Sequence, residues 1–379
     1  AGMVRTKSVA TICLKNVVLF AIAGIAYYAV GYNLMYDGVD GGFIGSIGLW
    51  GASDEGAAEG IFEGYAASSD WFFQMVFVAT AASIVSGAVA ERIKLWCFLA
   101  FTAVLTAVIY PIEGAWQWGG GWFSEMGFYD FAGSTIVHST GGWAALTGVL
   151  ILGARRGKYG EKGEIRLMAP SSLPLATLGT FILWLGWFGF NGGSQLALGS
   201  GMDAVAMANI YANTCVAAMG GVVVAAIATQ LIYRKVDLTM VLNGALAGLV
   251  SITAGPDTPG LGGAILIGGV GAAIVMVGVP LLDKLKIDDV VGAIPVHLFA
   301  GIWGTMAVPL TNPDTSFVTQ GIGVVAIGAF VAVASAIVWM LLKATVGLRV
   351  SAEDEETGLD RVELGISAYP EFSRDSIAV

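Results

Sequence analysis

Asp130-Phe131-Ala132-Gly133-Ser134-Thr135-Ile136-Val137-His138, with Gly142 four residues on, recurs later in the chain. The second copy is Asp289-Val290-Val291-Gly292-Ala293-Ile294-Pro295-Val296-His297, with Gly301 four residues on. Each copy reads Asp, seven residues, His, with Val just before the His. His138 and His297 are the chain's 2 histidines, and both lie in apolar stretches. An ionisable side chain at membrane depth is costly and is a functional candidate by default. A matched pair implies an internal duplication that brings two imidazoles to a common axis.

The composition fits that setting. Of the 379 residues, 56% are hydrophobic and 12% charged, against about 25% charged in soluble domains. The 54 glycines show no collagen period; in apolar segments small residues let helices approach closely. The class is a polytopic, all-α membrane protein. The net charge of −10 comes without a basic, aromatic-interleaved patch, so nucleic acid is not an expected partner. Cys13, Cys97 and Cys215 have neither metal-ligand spacing nor a disulfide framework. No catalytic triad, phosphate loop or zinc site is present, so neither enzymatic activity nor a cofactor is expected.

Hydropathy predicts ten spans, near 16–36, 71–90, 95–114, 131–153, 172–191, 204–232, 239–254, 261–282, 291–309 and 320–345. Each is of the order of 20 residues, enough to cross about 30 Å of hydrocarbon. With the N-terminus inside, all 18 Lys and Arg fall in inside segments, so the charge rule supports the count. The loop 37–70 carries Asp37, Asp40, Asp54, Glu55, Glu59, Glu63 and Asp70 with no counter-charge. It either concentrates cations at the outer mouth or is an exported loop kept soluble by acids. His138 and His297 fall five spans apart and so run in opposite directions, as an inverted repeat of five spans requires. A full first repeat needs one more span before residue 1.

These residues resemble the Amt/Mep ammonium transporter family. The resemblance rests on Asp130 to His138 with Gly141-Gly142, on Ala90-Glu91-Arg92-Ile93-Lys94, and on Trp118-Gly119-Gly120-Gly121. It rests also on Gly186-Trp187-Phe188-Gly189-Phe190-Asn191, on Val296-His297, and on the tail Val346-Gly347-Leu348-Arg349-Val350. It covers nearly the whole chain. It implies a five-plus-five inverted repeat with a final helix, a homotrimer with one pore per subunit, and a missing first helix here. The transporter domain would be 1–345, with a cytoplasmic tail at 346–379, in the cell membrane.

The resemblance implies roles for single residues, each with a plainer competitor. His138 and His297 match the paired pore histidines; a lone buried imidazole is more often structural. Two neutral imidazoles can share one N–H···N bond and offer a narrow lumen their remaining donor and acceptor. Trp118, Phe77 and Cys215 match an outer recruitment site, in which Trp118 offers a π face to ammonium; its competitor is a Trp of the interfacial belt. Cys215 stands where the family often has Ser. Phe77 and Tyr211 match a pair of stacked gate rings, against ordinary helix packing. Asp130 matches a required acid, read here as a helix cap beside the recruitment site, and Asp289 as its repeat partner. A PII-type signalling protein is the implied partner at the cytoplasmic face, although Leu364-Gly365-Ile366-Ser367-Ala368-Tyr369 departs from the family's His-Gly-Glu.

The expected function is ammonium transport. Ammonium and potassium have similar size and charge, but only ammonium donates directional hydrogen bonds and can lose a proton. An apolar pore penalises any ion and admits ammonia, so the proton is handled separately. Two competitors stand: a passive ammonia channel of Rh type, against which Trp118 argues, and an ammonium sensor signalling through its tail.

Overall fold

The computed structural model describes residues 1–54 and 64–372; Glu55, Glu59 and Glu63 of the acidic loop and Arg374 of the tail lie outside them. Among the described residues ten apolar helices follow one another: α1 Thr6–Tyr36, α2 Ala67–Ala88, α3 Leu95–Met126, α4 Ser134–Leu152, α5 Leu173–Gly193, α6 Gly201–Tyr233, α7 Leu238–Ile252, α8 Leu261–Lys284, α9 Ile294–Leu310 and α10 Phe317–Thr345. Eight are long enough to cross a membrane; α7 and α9 are shorter. Each overlaps one predicted span. Two boundaries differ by more than a helical turn. α1 begins ten residues early, because Asp360 accepts from the backbone N–H groups of Ala10 and Thr11 and caps that turn. Lys15, read as part of the inside segment, therefore sits within the helix, fully buried, its ammonium on the Ser86 carbonyl at 3.0 Å. α3 runs on through the Gly119–Gly121 turn, and Gly121 donates back to the Ala115 carbonyl.

The inverted repeat is visible in the packing. α1, α2 and α3 pack on one another, as do their counterparts five spans on, α6, α7 and α8, while α4 and α9 cross between the two groups. The two groups solve close packing differently. The first uses large side chains such as Tyr27, Phe98, Phe101 and Tyr110, all fully buried. The second brings backbones together: a Cβ on Gly221 would lie 2.1 Å from the Gly244 carbonyl oxygen, so only glycine fits there. α10 closes the body against α4, with the Trp339 ring stacked on Phe101 at 3.6 Å.

The loops sort by face. On one face Arg155 bonds Asp288 at 2.8 Å and Glu91 at 3.1 Å, Arg5 also pairs with Glu91, and Arg92 donates to the Asp288 carbonyl. Burial pushes the Asp288 carboxyl up, but the Arg155 hydrogen bonds and charge outweigh this and hold it down at about 2. The tail, with short helices α11 (Ala352–Thr357) and α12 (Leu359–Leu364), lies across the same face. Val350 donates to the Arg92 carbonyl, and Glu355 receives Arg349 and the Arg156 N–H. The opposite face gathers Gly41 with Gly120, Tyr129 with Asp257, and Phe131 with the Ala254 carbonyl.

Candidate functional site

Both histidines ride on the first turn of a membrane helix, and the two turns are built alike. The chain enters each through a glycine in the left-handed region, Gly133 (φ 102°) and Gly292 (φ 79°), which a side chain would strain. Each Asp then caps the turn that follows. Asp130 accepts from the N–H groups of Gly133, Ser134, Thr135 and Ile136 at 2.8–3.1 Å. Asp289 accepts from Val291, Gly292 and Ile294. Burial pushes Asp130 up to about 6 against the pull of those four N–H groups. The capped turns, Ser134–Ser139 and Ile294–Phe299, are wide π-helical turns, a form frequent at functional sites. The two helices touch where Gly142 meets the Leu298 backbone and Gly301 meets the Ser134 carbonyl.

This crossing sets the imidazoles side by side. His138 Nδ1 and His297 Nδ1 are 3.2 Å apart, with ring centres at 5.2 Å. One Nδ1–H donates and the other Nδ1 accepts, so the two Nε2 atoms are left as one donor and one acceptor. His138 is 1% exposed, and its Nε2 has no hydrogen-bond partner among the described residues.

A column of rings leads from His138 toward the face opposite the arginines. Phe190 lies 5.3 Å from His138, Phe77 lies 4.1 Å from Phe190, and Trp118 stands edge-on to Phe77 at 5.7 Å. Trp187 covers His138 at 5.0 Å, its indole N–H held by the Thr253 hydroxyl. The Trp118 indole N–H donates to the Asp130 carbonyl at 3.0 Å, which ties the outermost ring to the first cap. Toward the arginine face lies a cavity of about 450 Å³ lined by both histidines, Trp187, Asn243, Thr80 and Val4.

The structure thus brings together His138, His297, Phe77, Trp118 and Asp130. It does not bring Tyr211 to Phe77. Phe190 holds that place, and Tyr211 stands 37% exposed on α6, edge-on to Phe188. Cys215 is half-buried on α6, beside Thr214, whose hydroxyl accepts from Asn191, and is not part of the ring column. Phe190 lay within the quoted motif Gly186 to Asn191. The missing signal was its position on α5: three residues past Trp187, it shares that ring's face of the helix.

Comparison with known proteins identifies the family and the fold. The profile of the Ammonium Transporter Family matches residues 1–369. A putative ammonium transporter of Synechocystis is 41% identical over 372 residues, 96% of this chain and 83% of that protein. The ammonium transporter Amt2 of Archaeoglobus fulgidus is 40% identical, over 98% of this chain and 84% of its own length. Among solved structures, one titled a sensor Amt protein superposes with a TM-score of 0.89 at 34% identity, covering 96% of this chain and 92% of that one. Saccharomyces cerevisiae Mep2, at 23% identity, shares the fold with a TM-score of 0.80, over 93% and 85% of the two chains. The chain belongs to the Ammonium Transporter Family.

Proposed function

We propose that each subunit recruits ammonium at Trp118 and Phe77, separates it from one proton, and passes ammonia between Phe77 and Phe190 to the His138–His297 pair. The observation that carries this reading is the 3.2 Å Nδ1 contact between two imidazoles, set between a sealed ring column and a cavity. The Trp118 face attracts a desolvated cation. The rings beyond it leave no room for a hydrated ion, and a bare ion there would lack its solvation. Ammonia pays far less and meets one donor and one acceptor at the Nε2 positions. The arginine face is the cytoplasmic one by the charge rule, so the tail lies in the cytoplasm, where a PII-type protein would meet it. The subunits assemble as a homotrimer, each with its own pore.

The test is current across a solid-supported membrane, with purified protein in liposomes, on ammonium and then potassium jumps. A saturable current with ammonium alone supports the reading; equal currents overturn it. A second reading, an ammonium sensor, is favoured by one observation: the sensor Amt structure superposes at a TM-score of 0.89. Ammonium binding without current, with a changed protease sensitivity of the tail, would favour it.

A further inference from the structure

The buried side of α3 carries a polar residue at nearly every turn: Thr102, Thr106, Tyr110, Glu113 and Gln117. Spacings of three and four keep them on one face of the helix. The first four are fully buried. Thr102 donates to the Phe98 carbonyl and Thr106 to the Thr102 carbonyl. Glu113 Oε1 accepts from the Thr140 hydroxyl at 3.2 Å. Three further atoms on this face, Tyr110 Oη, Glu113 Oε2 and Gln117 Oε1, are buried with no hydrogen-bond partner among the described residues.

Thr140 lies two residues past His138, so the stripe runs along α4 beside the pore rather than in the ring column. Its far end meets Lys15 of α1, whose ammonium sits 4.4 Å from the Phe98 ring centre. From Phe98 to Glu113 is about 22 Å along the helix axis. A buried membrane carboxyl with a free oxygen is more than adhesive, since hydroxyls and small side chains hold membrane helices together. Glu113 faces Tyr110 on its own helix, Asp130 across the gap and Thr140 on α4. The Asp130 oxygens are already engaged by four backbone N–H groups.

We propose that Glu113 accepts the proton that ammonium gives up on entry, and that the α3 stripe, rather than the ring column, carries this proton. The inference rests on the transport reading above. One N–H bond of ammonium breaks beside Trp118, its electron pair stays on nitrogen, and ammonia enters the ring column. The proton passes Gln117, the neighbour of Trp118 in sequence, and forms an O–H bond on the Glu113 carboxylate. That bond breaks again, restoring the carboxylate, as the proton moves past Tyr110, Thr106 and Thr102 to Lys15. The Lys15 ammonium gives one of its own N–H protons to the arginine face, and the arriving proton replaces it.

The test is Glu113→Gln, which keeps shape and loses proton exchange. In the liposome assay the ammonium-evoked current should fall about a hundredfold, while ammonia flux by an entrapped pH dye persists and Glu113→Asp recovers part of the current. Wild-type current in Glu113→Gln overturns the proposal. Infrared difference spectra of wild-type protein on ammonium addition supply a second readout. A carboxyl band that Glu113→Gln removes, or that Thr140→Val shifts should the first variant misfold, supports the proposal, and its absence overturns it. A wild type with no ammonium current fails the transport reading instead, and the infrared band alone then decides the role of Glu113.

Discussion

The two capped turns share one backbone design and differ in what surrounds it. The Asp130 turn is 1% exposed at its cap, and its histidine is sealed under Trp187 and Phe190. The Asp289 turn is partly exposed at its cap, and its histidine is the more exposed of the two that line the cavity. The residue before each cap sharpens the contrast. Tyr129 precedes Asp130, exchanges hydrogen bonds with Gln320 and donates its hydroxyl to Asp257. Asp288 precedes Asp289 and is locked by Arg155. One copy of the repeat forms a buried, aromatic end. The other forms an ionic anchor joining α9 to loops and tail. A duplicated turn supplies the geometry, and its neighbours decide which task each copy performs.

Removing the anchor should have the largest effect. Arg155→Ala leaves Asp288 and Glu91 buried near one another, with Arg5 alone to serve Glu91. Breaking a buried pair by deleting one partner costs about 3–5 kcal/mol. Thermal unfolding in detergent should therefore drop sharply, whereas Arg156→Ala, whose pair with Glu356 is exposed, should scarcely register. The pH dependence has a fixed sign. The Asp288 carboxyl is held down at about 2, below the usual carboxylate value near 4. Its stabilisation is fully present above pH ~4 and is lost as pH falls toward ~2. A wild-type melting temperature in Arg155→Ala would remove the ionic half of the comparison.

Next in size is the histidine pair, where the two turns must act together. His138→Ala with His297→Ala should fold, since each cap and glycine entry is untouched, but should lose selective ammonium transport. Discrimination against potassium should fall about a hundredfold or more, because only ammonium and ammonia use hydrogen-bonding groups that potassium cannot. Selectivity unchanged in the double variant would reduce the imidazoles to packing.

Much of this was legible beforehand, for identifiable reasons. Arg5, Arg92, Arg155, Arg234 and Lys284 mark every second loop, so the ten helices could be counted without coordinates. Asp130 and Asp289 could be read as caps because a carboxylate ahead of an apolar run has few other uses. The ring that meets Phe77 could not be read this way. Stacking between α2 and α5 depends on helix rotation, which local spacing does not carry, so Tyr211 was the ring expected and Phe190 emerges only once the helices are placed. Glu113 was hidden for a related reason: inside an apolar span its significance depends on which residues α4 turns toward it.

The smallest expected effect separates the two caps by pH. Burial has raised Asp130 to about 6, so acidifying the outer solution from pH 7 to 5 removes its charge, while an ordinary Asp would stay ionised. Ammonium remains protonated throughout, so its concentration is constant and a change in apparent affinity belongs to the protein. Losing a negative charge beside the recruitment site should weaken the affinity about threefold to tenfold. Burial raises Asp289 as well, but it caps the turn on the cavity side, away from recruitment. Acidifying the inner solution alone should leave affinity for outer ammonium unchanged. Equal sensitivity on both sides would mean that the two caps act as one electrostatic unit, and the division of labour between the repeats would fail at its first step.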